Sequence, residues 1–279
     1  MQQARFWMAA CAVFLAFLGT HAAAPMDWLV DPSPFKAHVA ATNDGRQIVL
    51  QNGLVRRVVQ LGSNAATVEF SSVTTGESWL RAVKPEAVVE IDGQRLEVGG
   101  LKGQPNRAFL RPEWLRTMTS SPTAFRYVGH VVGKTAERMP WKRVRHHAPD
   151  VAWPPPGVSL RLDFASPAGM AGDVRVSVHY ELYDGLPAFS KWIVVTNRSS
   201  ASITIDRFTV ERLAIVEQSN PVDDAPGVIL PHPDCLHVET DQAFGGFGHE
   251  HACRHAVRWR EDPAFGTQVN YERSEEHNV

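Results

Sequence analysis

The sequence predicts an all-β chain, a large antiparallel β-sandwich behind an N-terminal signal helix. Three observations carry this reading. Apolar and polar residues alternate with period two over long runs, which marks strands with one buried and one wet face. Turn chemistry recurs about every 8–15 residues, a spacing that favours sandwiches over βαβ units. Nineteen prolines and twenty glycines leave little room for long helices.

Taken in order, residues 1–5 are short and end in Arg5, and residues 6–18 form an uncharged apolar run. Small residues follow, closing on Ala22-Ala23-Ala24. This is the layout of a secretory signal peptide with an A-x-A cleavage site. The apolar run is too short to span a bilayer. Residues 47–61 carry Ile48, Leu50, Leu54, Val55, Val58 and Val59 around the turn signal Asn52-Gly53. A strand over 66–73 ends at Thr75-Gly76, and 87–91 with 96–98 flank Asp92-Gly93 as a tight hairpin. Residues 112–121 are the one briefly helical stretch. Strands follow at 127–132 and 158–164, separated by the Pro-rich loop of residues 153–157. Val174, Val176, Val178, Tyr180 and Leu182 then alternate with Arg175, Ser177, His179, Glu181 and Tyr183. The turn Asp184-Gly185-Leu186-Pro187 leads to a β-branched strand over 191–196, a polar loop over 197–202, and a strand over 203–216 whose phase shift signals a bulge.

Hydrophobic residues make up 44% and charged residues 21%, ordinary globular usage that excludes disorder and small disulfide scaffolds as global descriptions. The net charge of −2 becomes −3 when Arg5 leaves with residues 1–24. No field of that size draws the chain to nucleic acid or an anionic membrane, and no cofactor is expected. No second apolar run reaches membrane-spanning length, so a soluble mature protein is expected after export to the periplasm or medium.

Chemistry-bearing residues are few. There is neither a G-x-S-x-G elbow nor a phosphate-binding loop. Cys235 and Cys253 remain after signal removal and are candidates for one disulfide, with two ordinary thiols as the alternative. His249, His251, Cys253 and His255 recur at spacing two, so on a strand they face one side. Imidazole and thiolate suit zinc or copper, which makes these four a competing metal-site reading. Trp141, Arg143 and Trp153 combine indoles with guanidinium in a basic loop. Sugars stack their apolar face on indole while guanidinium bonds hydroxyls, so these three are the carbohydrate-binding candidates. The alternative is a solvated basic loop with its tryptophans in the core.

Several stretches together resemble the N-terminal domain of secreted bacterial proteins related to glycoside hydrolase family 36, the α-galactosidase-like group. They include Leu50-Gln51-Asn52-Gly53-Leu54-Val55-Arg56-Arg57, Thr74-Thr75-Gly76-Glu77-Ser78-Trp79-Leu80-Arg81-Ala82, Lys84-Pro85-Glu86-Ala87 and Val98-Gly99-Gly100-Leu101. Further on come His179-Tyr180-Glu181-Leu182-Tyr183-Asp184-Gly185-Leu186-Pro187, then Asp262-Pro263 and Thr267-Gln268-Val269-Asn270-Tyr271-Glu272-Arg273. The resemblance covers most of residues 27–273. It implies a galactose-mutarotase-like supersandwich that precedes a catalytic (β/α)₈ barrel. The family's paired catalytic carboxylates lie on the barrel, and no residue here corresponds to them. Residues 274–279 look unlike the family continuation and are expected to mark a truncation.

The expected organisation is thus a signal peptide over 1–24, a β-sandwich over 25–273 and an atypical tail over 274–279. The expected function is that of an exported, non-catalytic domain that docks a barrel or shapes the mouth of its active site, inactive alone, with carbohydrate or a barrel as partner and a possible homo-oligomer. A stand-alone aldose-mutarotase-like enzyme or carbohydrate-binding protein is the second reading; it asks His179 and Glu181, two residues that share a strand face and are expected to point outward, to serve as acid and base. An exported metal-binding protein is the third. The cleavage site gives the first test. N-terminal sequencing of exported protein should find a mature terminus close to Ala24 or Pro25, and an intact Met1 would contradict the signal reading.

Overall fold

A computed structural model describes residues 26–215, except 43, 106, 108, 139, 141–151 and 171, together with 236–238. The signal segment, Cys235, Cys253 and the tail over 274–279 lie outside the described residues. Thirteen strands and one 3₁₀ turn are found among those described, and every strand pairing is antiparallel.

Two four-stranded meanders form the body of the sandwich. The first runs β1 (His38–Ala41), β2 (Gln47–Gln51), β3 (Val55–Gln60) and β4 (Ala66–Ser72) in spatial order. The second runs β8 (Arg126–Lys134), β9 (Gly157–Ala165), β10 (Val174–Tyr183) and β11 (Phe189–Asn197). Between them in the chain lie β5 (Leu80–Ala82), β6 (Ala87–Ile91), β7 (Gln94–Val98) and the 3₁₀ turn Pro112–Arg116. The last strands return to them: β12 (Ile205–Thr209) pairs with β6, and β13 (Ala214–Ile215) pairs with β5.

The period-two pattern decides which face is inside. Val174, Val176, Val178, Tyr180 and Leu182 of β10 are fully buried and pack with Leu160, Leu162 and Phe164 of β9. Ile48, Leu50, Val55, Val59 and Phe70 from the first meander complete one shared core with Val89, Ile91, Leu96 and Val98. A second, smaller core of Ala66, Val83, Leu101 and Met118 lies beneath Leu110 and Leu115. The expected bulge appears as a register shift between Ile205 and Arg207. Strand β1, which the sequence reading passed over, pairs in full register with β2.

The turn residues act as their chemistry requires. Asp92 and Gly93 both have positive φ, 50° and 74°, the geometry a two-residue hairpin needs between Ile91 and Gln94. At the β2–β3 turn the Asn52 side-chain oxygen accepts from the Leu54 and Val55 amides at 3.0 and 3.2 Å. Its amide nitrogen donates across the molecule to the carbonyls of Tyr183 and Leu186 at 2.9 and 2.7 Å. The N-G-L-V and Y-D-G-L-P pieces are therefore one joint. Asp184 extends it by accepting from the Ala37 amide at 2.9 Å. Gly99, at φ 65°, admits no side chain, because a Cβ there would sit 2.3 Å from the Ala65 carbonyl oxygen.

A buried set of charges ties these sheets together. Arg57 of β3 reaches Glu211, between β12 and β13, through two hydrogen bonds of 2.6 and 3.2 Å, and Thr67 of β4 through a third of 2.9 Å. Lys191 of β11 donates to Glu211 at 2.7 Å and to the Glu86 carbonyl at 2.6 Å. The Glu86 carboxylate accepts from the Thr67 amide and the Tyr180 hydroxyl. The Arg57 guanidinium lies 4.6 Å from the Tyr180 ring centroid and 5.4 Å from that of Phe70. Two cations thus meet two carboxylates, and a buried ion is tolerated only when so paired.

Burial alone would raise the Glu211 carboxyl, but the charges on Arg57 and Lys191 overcome it and hold the group at about 2. In the unfolded chain its ordinary value is 4.5, so the folded state binds the proton less readily. The stability this supplies is complete above pH 4.5 and is lost as the pH falls toward 2. Two outcomes are expected in urea unfolding. Arg57→Met, which leaves the carboxylates short of a cation, should cost roughly 3–5 kcal/mol at pH 7. The stability gap between wild type and Glu211→Gln should close as the pH is lowered from 5 to 2.

Candidate functional site

The outward face of the β8–β11 sheet holds the residues that the sequence reading considered for acid–base chemistry. Strand alternation places Arg161, His179 and Trp192 side by side in one cross-strand row. The next rows bring Glu181 opposite Ser159 and Ser190, and Ser177 opposite Asp163. His179 lies flat on Trp192, with ring centroids 4.8 Å apart at 14°. Asp163 accepts from Ser177 at 2.7 Å and from Arg161 at 2.9 Å.

Residues 135–138 leave β8 and cross this face as a strap. The Ala136 amide donates to Glu181 at 3.0 Å. Arg138 sits 3.8 Å from the other Glu181 oxygen and 4.5 Å from the Trp192 ring centroid. Tyr183 donates to Glu181 at 3.1 Å and shares a 2.6 Å hydrogen bond with Ser190. The Thr135 hydroxyl donates to the Pro155 carbonyl at 2.5 Å, joining the start of the β8–β9 connection to its end.

The strap changes what the two expected catalytic candidates can do. His179 and Glu181 do share a face, as their spacing requires, but Glu181 is only 3% exposed rather than turned to solvent. Period two fixes the face and not what covers it. Each Glu181 oxygen is already engaged, by an amide on one side and by a hydroxyl and a guanidinium on the other. Burial lowers the His179 imidazole below its ordinary value and the neighbouring Arg161 lowers it further, against the pull of Asp163 and Glu181. The ring is therefore neutral at pH 7 and stacked rather than aimed at a vacant space. Burial likewise raises the Tyr183 phenol.

A shallow recess adjoins the buried charges. It measures about 180 Å³, counted out into solvent at its mouth, with Arg57, Thr67, Lys84, Glu86 and Arg212 among its walls. Little of that volume is enclosed, and there is no room in it for even a water-sized molecule, so the recess is not a small-molecule pocket. Its carboxylate and guanidinium groups are turned on one another.

Of the three carbohydrate candidates, Trp153 is placed, at 38% exposure, on the loop that leads into β9. Trp141 and Arg143 lie outside the described residues, as do His249, His251, Cys253 and His255. Among the described residues no group of three or more His, Cys, Asp or Glu side chains is arranged to hold a metal ion. No described helix is long and apolar enough to cross a membrane. The sequence reading missed Arg138 and Trp192. Trp192 stood in the open as the aromatic of the β-branched run over 191–196, directly opposite His179 once the 184–187 turn sets the register.

The chain matches no protein-family model, no curated protein and no solved structure.

The strap is the testable element. Glu181→Ala removes the acceptor for Ala136, Tyr183 and Arg138 together, so it should cost about 2–3 kcal/mol. Limited proteolysis should then cut faster within residues 135–156, while Glu181→Gln, which keeps an acceptor oxygen, should be cut less readily than the alanine variant.

Proposed function

We propose that this chain is an exported, non-catalytic β-sandwich module of an α-galactosidase-like carbohydrate-active protein, one that docks a catalytic barrel or shapes the mouth of its active site. The observation that carries the reading is the engagement of Glu181. An enzyme acting on a sugar ring needs an acid and a base facing a common vacancy. Here the carboxylate is consumed in fastening the strap, and the imidazole beside it is consumed in a ring stack. The joint made by Asn52 with Tyr183 and Leu186 adds support, because two of the pieces that carry the family resemblance are physically one device. A docking role is favoured by β12, an edge strand among the described residues, which exposes 61% of Phe208 and 46% of Ile205.

A stand-alone mutarotase-type enzyme is the competing reading, favoured by His179 and Glu181 lying on one face. One set of assays separates the two. The mature chain, residues 25–279, should release nothing from aryl α- or β-galactosides and should not speed the mutarotation of α-galactose followed by polarimetry. Light scattering should give a mass above that of the monomer, as apolar side chains on an open edge strand require. Turnover that survives repurification and disappears in His179→Ala or Glu181→Gln would overturn the non-catalytic reading.

A further inference from the structure

The bulge in β12 decides what that strand shows to solvent. Its partners on β6 run Ile205 with Ile91, then Arg207 with Glu90, Phe208 with Val89 and Thr209 with Val88, so Asp206 is the extra residue. Cross-strand partners share a face of the sheet. Ile205 therefore lies on the face of Ile91 and Phe208 on the face of Val89, and that face holds the shared core. Without the bulge, residues three apart would fall on opposite faces. Ile91 and Val89 are buried, whereas Ile205 and Phe208, one strand further out, are exposed. The apolar layer thus runs off the edge of the sheet instead of ending short of it. Arg207 falls on the other face with Glu90. One Asp206 carboxylate oxygen accepts from the Gly93 amide at 2.8 Å, which holds the bulge in place. Every residue of β12 is exposed, and among the described residues no strand pairs with its outer side.

We propose that β12 pairs with β12 of a second copy of this chain, antiparallel about a two-fold axis, with Asp206 opposite the partner's Arg207. This rests on the reading of β12 as a docking edge and names its occupant. The side chains choose the register. In it Ile205 meets the partner's Phe208, and Thr204 meets the partner's Thr209. Symmetry makes each pair occur twice. Opposite charges and aromatic–β-branched pairs are favourable when directly opposed, and like charges are not. A slip of one residue either way sets Arg207 against Arg207 or Asp206 against Asp206, and it parts Ile205 from Phe208. The apolar residues of both copies lie on the core face, so the two apolar layers join across the axis. A two-fold interface requires a surface that complements itself, which argues for a second copy as the occupant. Five residues make a short edge, so the dimer is reversible.

Sedimentation equilibrium of the mature chain over about a hundredfold range of concentration should show a monomer–dimer equilibrium. Arg207→Asp sets acid against acid in both charged pairs, and Asp206→Arg sets base against base. Each variant alone should be monomeric across that range. Mixed in equal amounts they restore both opposite-charge pairs and should form a heterodimer. Phe208→Ser should weaken the wild-type dimer about tenfold, since two cross-strand pairs are lost together. Circular dichroism checks folding. Where Asp206→Arg fails to fold for want of the Gly93 contact, Arg207→Asp and Phe208→Ser decide the matter. Wild type that stays monomeric throughout overturns the pairing and leaves β12 to a barrel. Open-ended oligomers also overturn it, because a two-fold contact closes on itself. So do dimers that persist undiminished in Arg207→Asp or Phe208→Ser, or two folded charge variants that fail to combine. Turnover by a chain that still dimerises in this way would overturn the non-catalytic reading and leave the pairing standing.

Discussion

The pairing of Arg57 and Lys191 with Glu86 and Glu211 is the constraint on which the rest of this structure depends. Its members come from β3, the approach to β6, β11 and the turn between β12 and β13, with Thr67 of β4 and Tyr180 of β10 completing the hydrogen bonds. No member can be buried alone. Each sheet is therefore placed relative to the others by a requirement sharper than shape, because an apolar core tolerates small slips that a buried ion does not. The approach of Glu211 also fixes how the last described strands return to β5 and β6, although those strands are short and β12 is exposed along its whole length.

Most of the fold was legible where the pattern is long. The ten-residue alternation of β10 gave the buried face residue by residue, and Asp92-Gly93 gave its hairpin. The losses are equally specific. Strand β1 is four residues, two of them alanine, and β5 is three residues, too short for any period to register. Both exist because a neighbour offers an edge. The buried charges did leave a trace. Arg57 stands in phase with Val55 and Val59, and Lys191 in phase with Phe189, Ile193 and Val195. A charge that falls in the apolar register of a strand is either a bulge or a buried pair, and its partner cannot be named from the sequence because it lies 154 residues away for Arg57 and Glu211.

The outward face of the second meander taught the opposite lesson. His179 and Glu181 were read correctly as neighbours on one face, but Glu181 is buried rather than exposed, since the strap that fastens it belongs to residues 135–138 and carries no periodic signal.

The Asn52 joint has a consequence for the order in which this chain can assemble. Its hydrogen bonds span 131 and 134 residues, so the β2–β3 turn is made long before the carbonyls of Tyr183 and Leu186 are in place to receive it. Closing a loop of that span costs entropy ahead of any contact that rewards it, and folds dominated by such contacts reach the native state slowly. The first meander must wait with Ile48, Leu50, Val55 and Val59 uncovered until β9 and β10 arrive. A nascent sheet in that condition is prone to pair with the wrong edge.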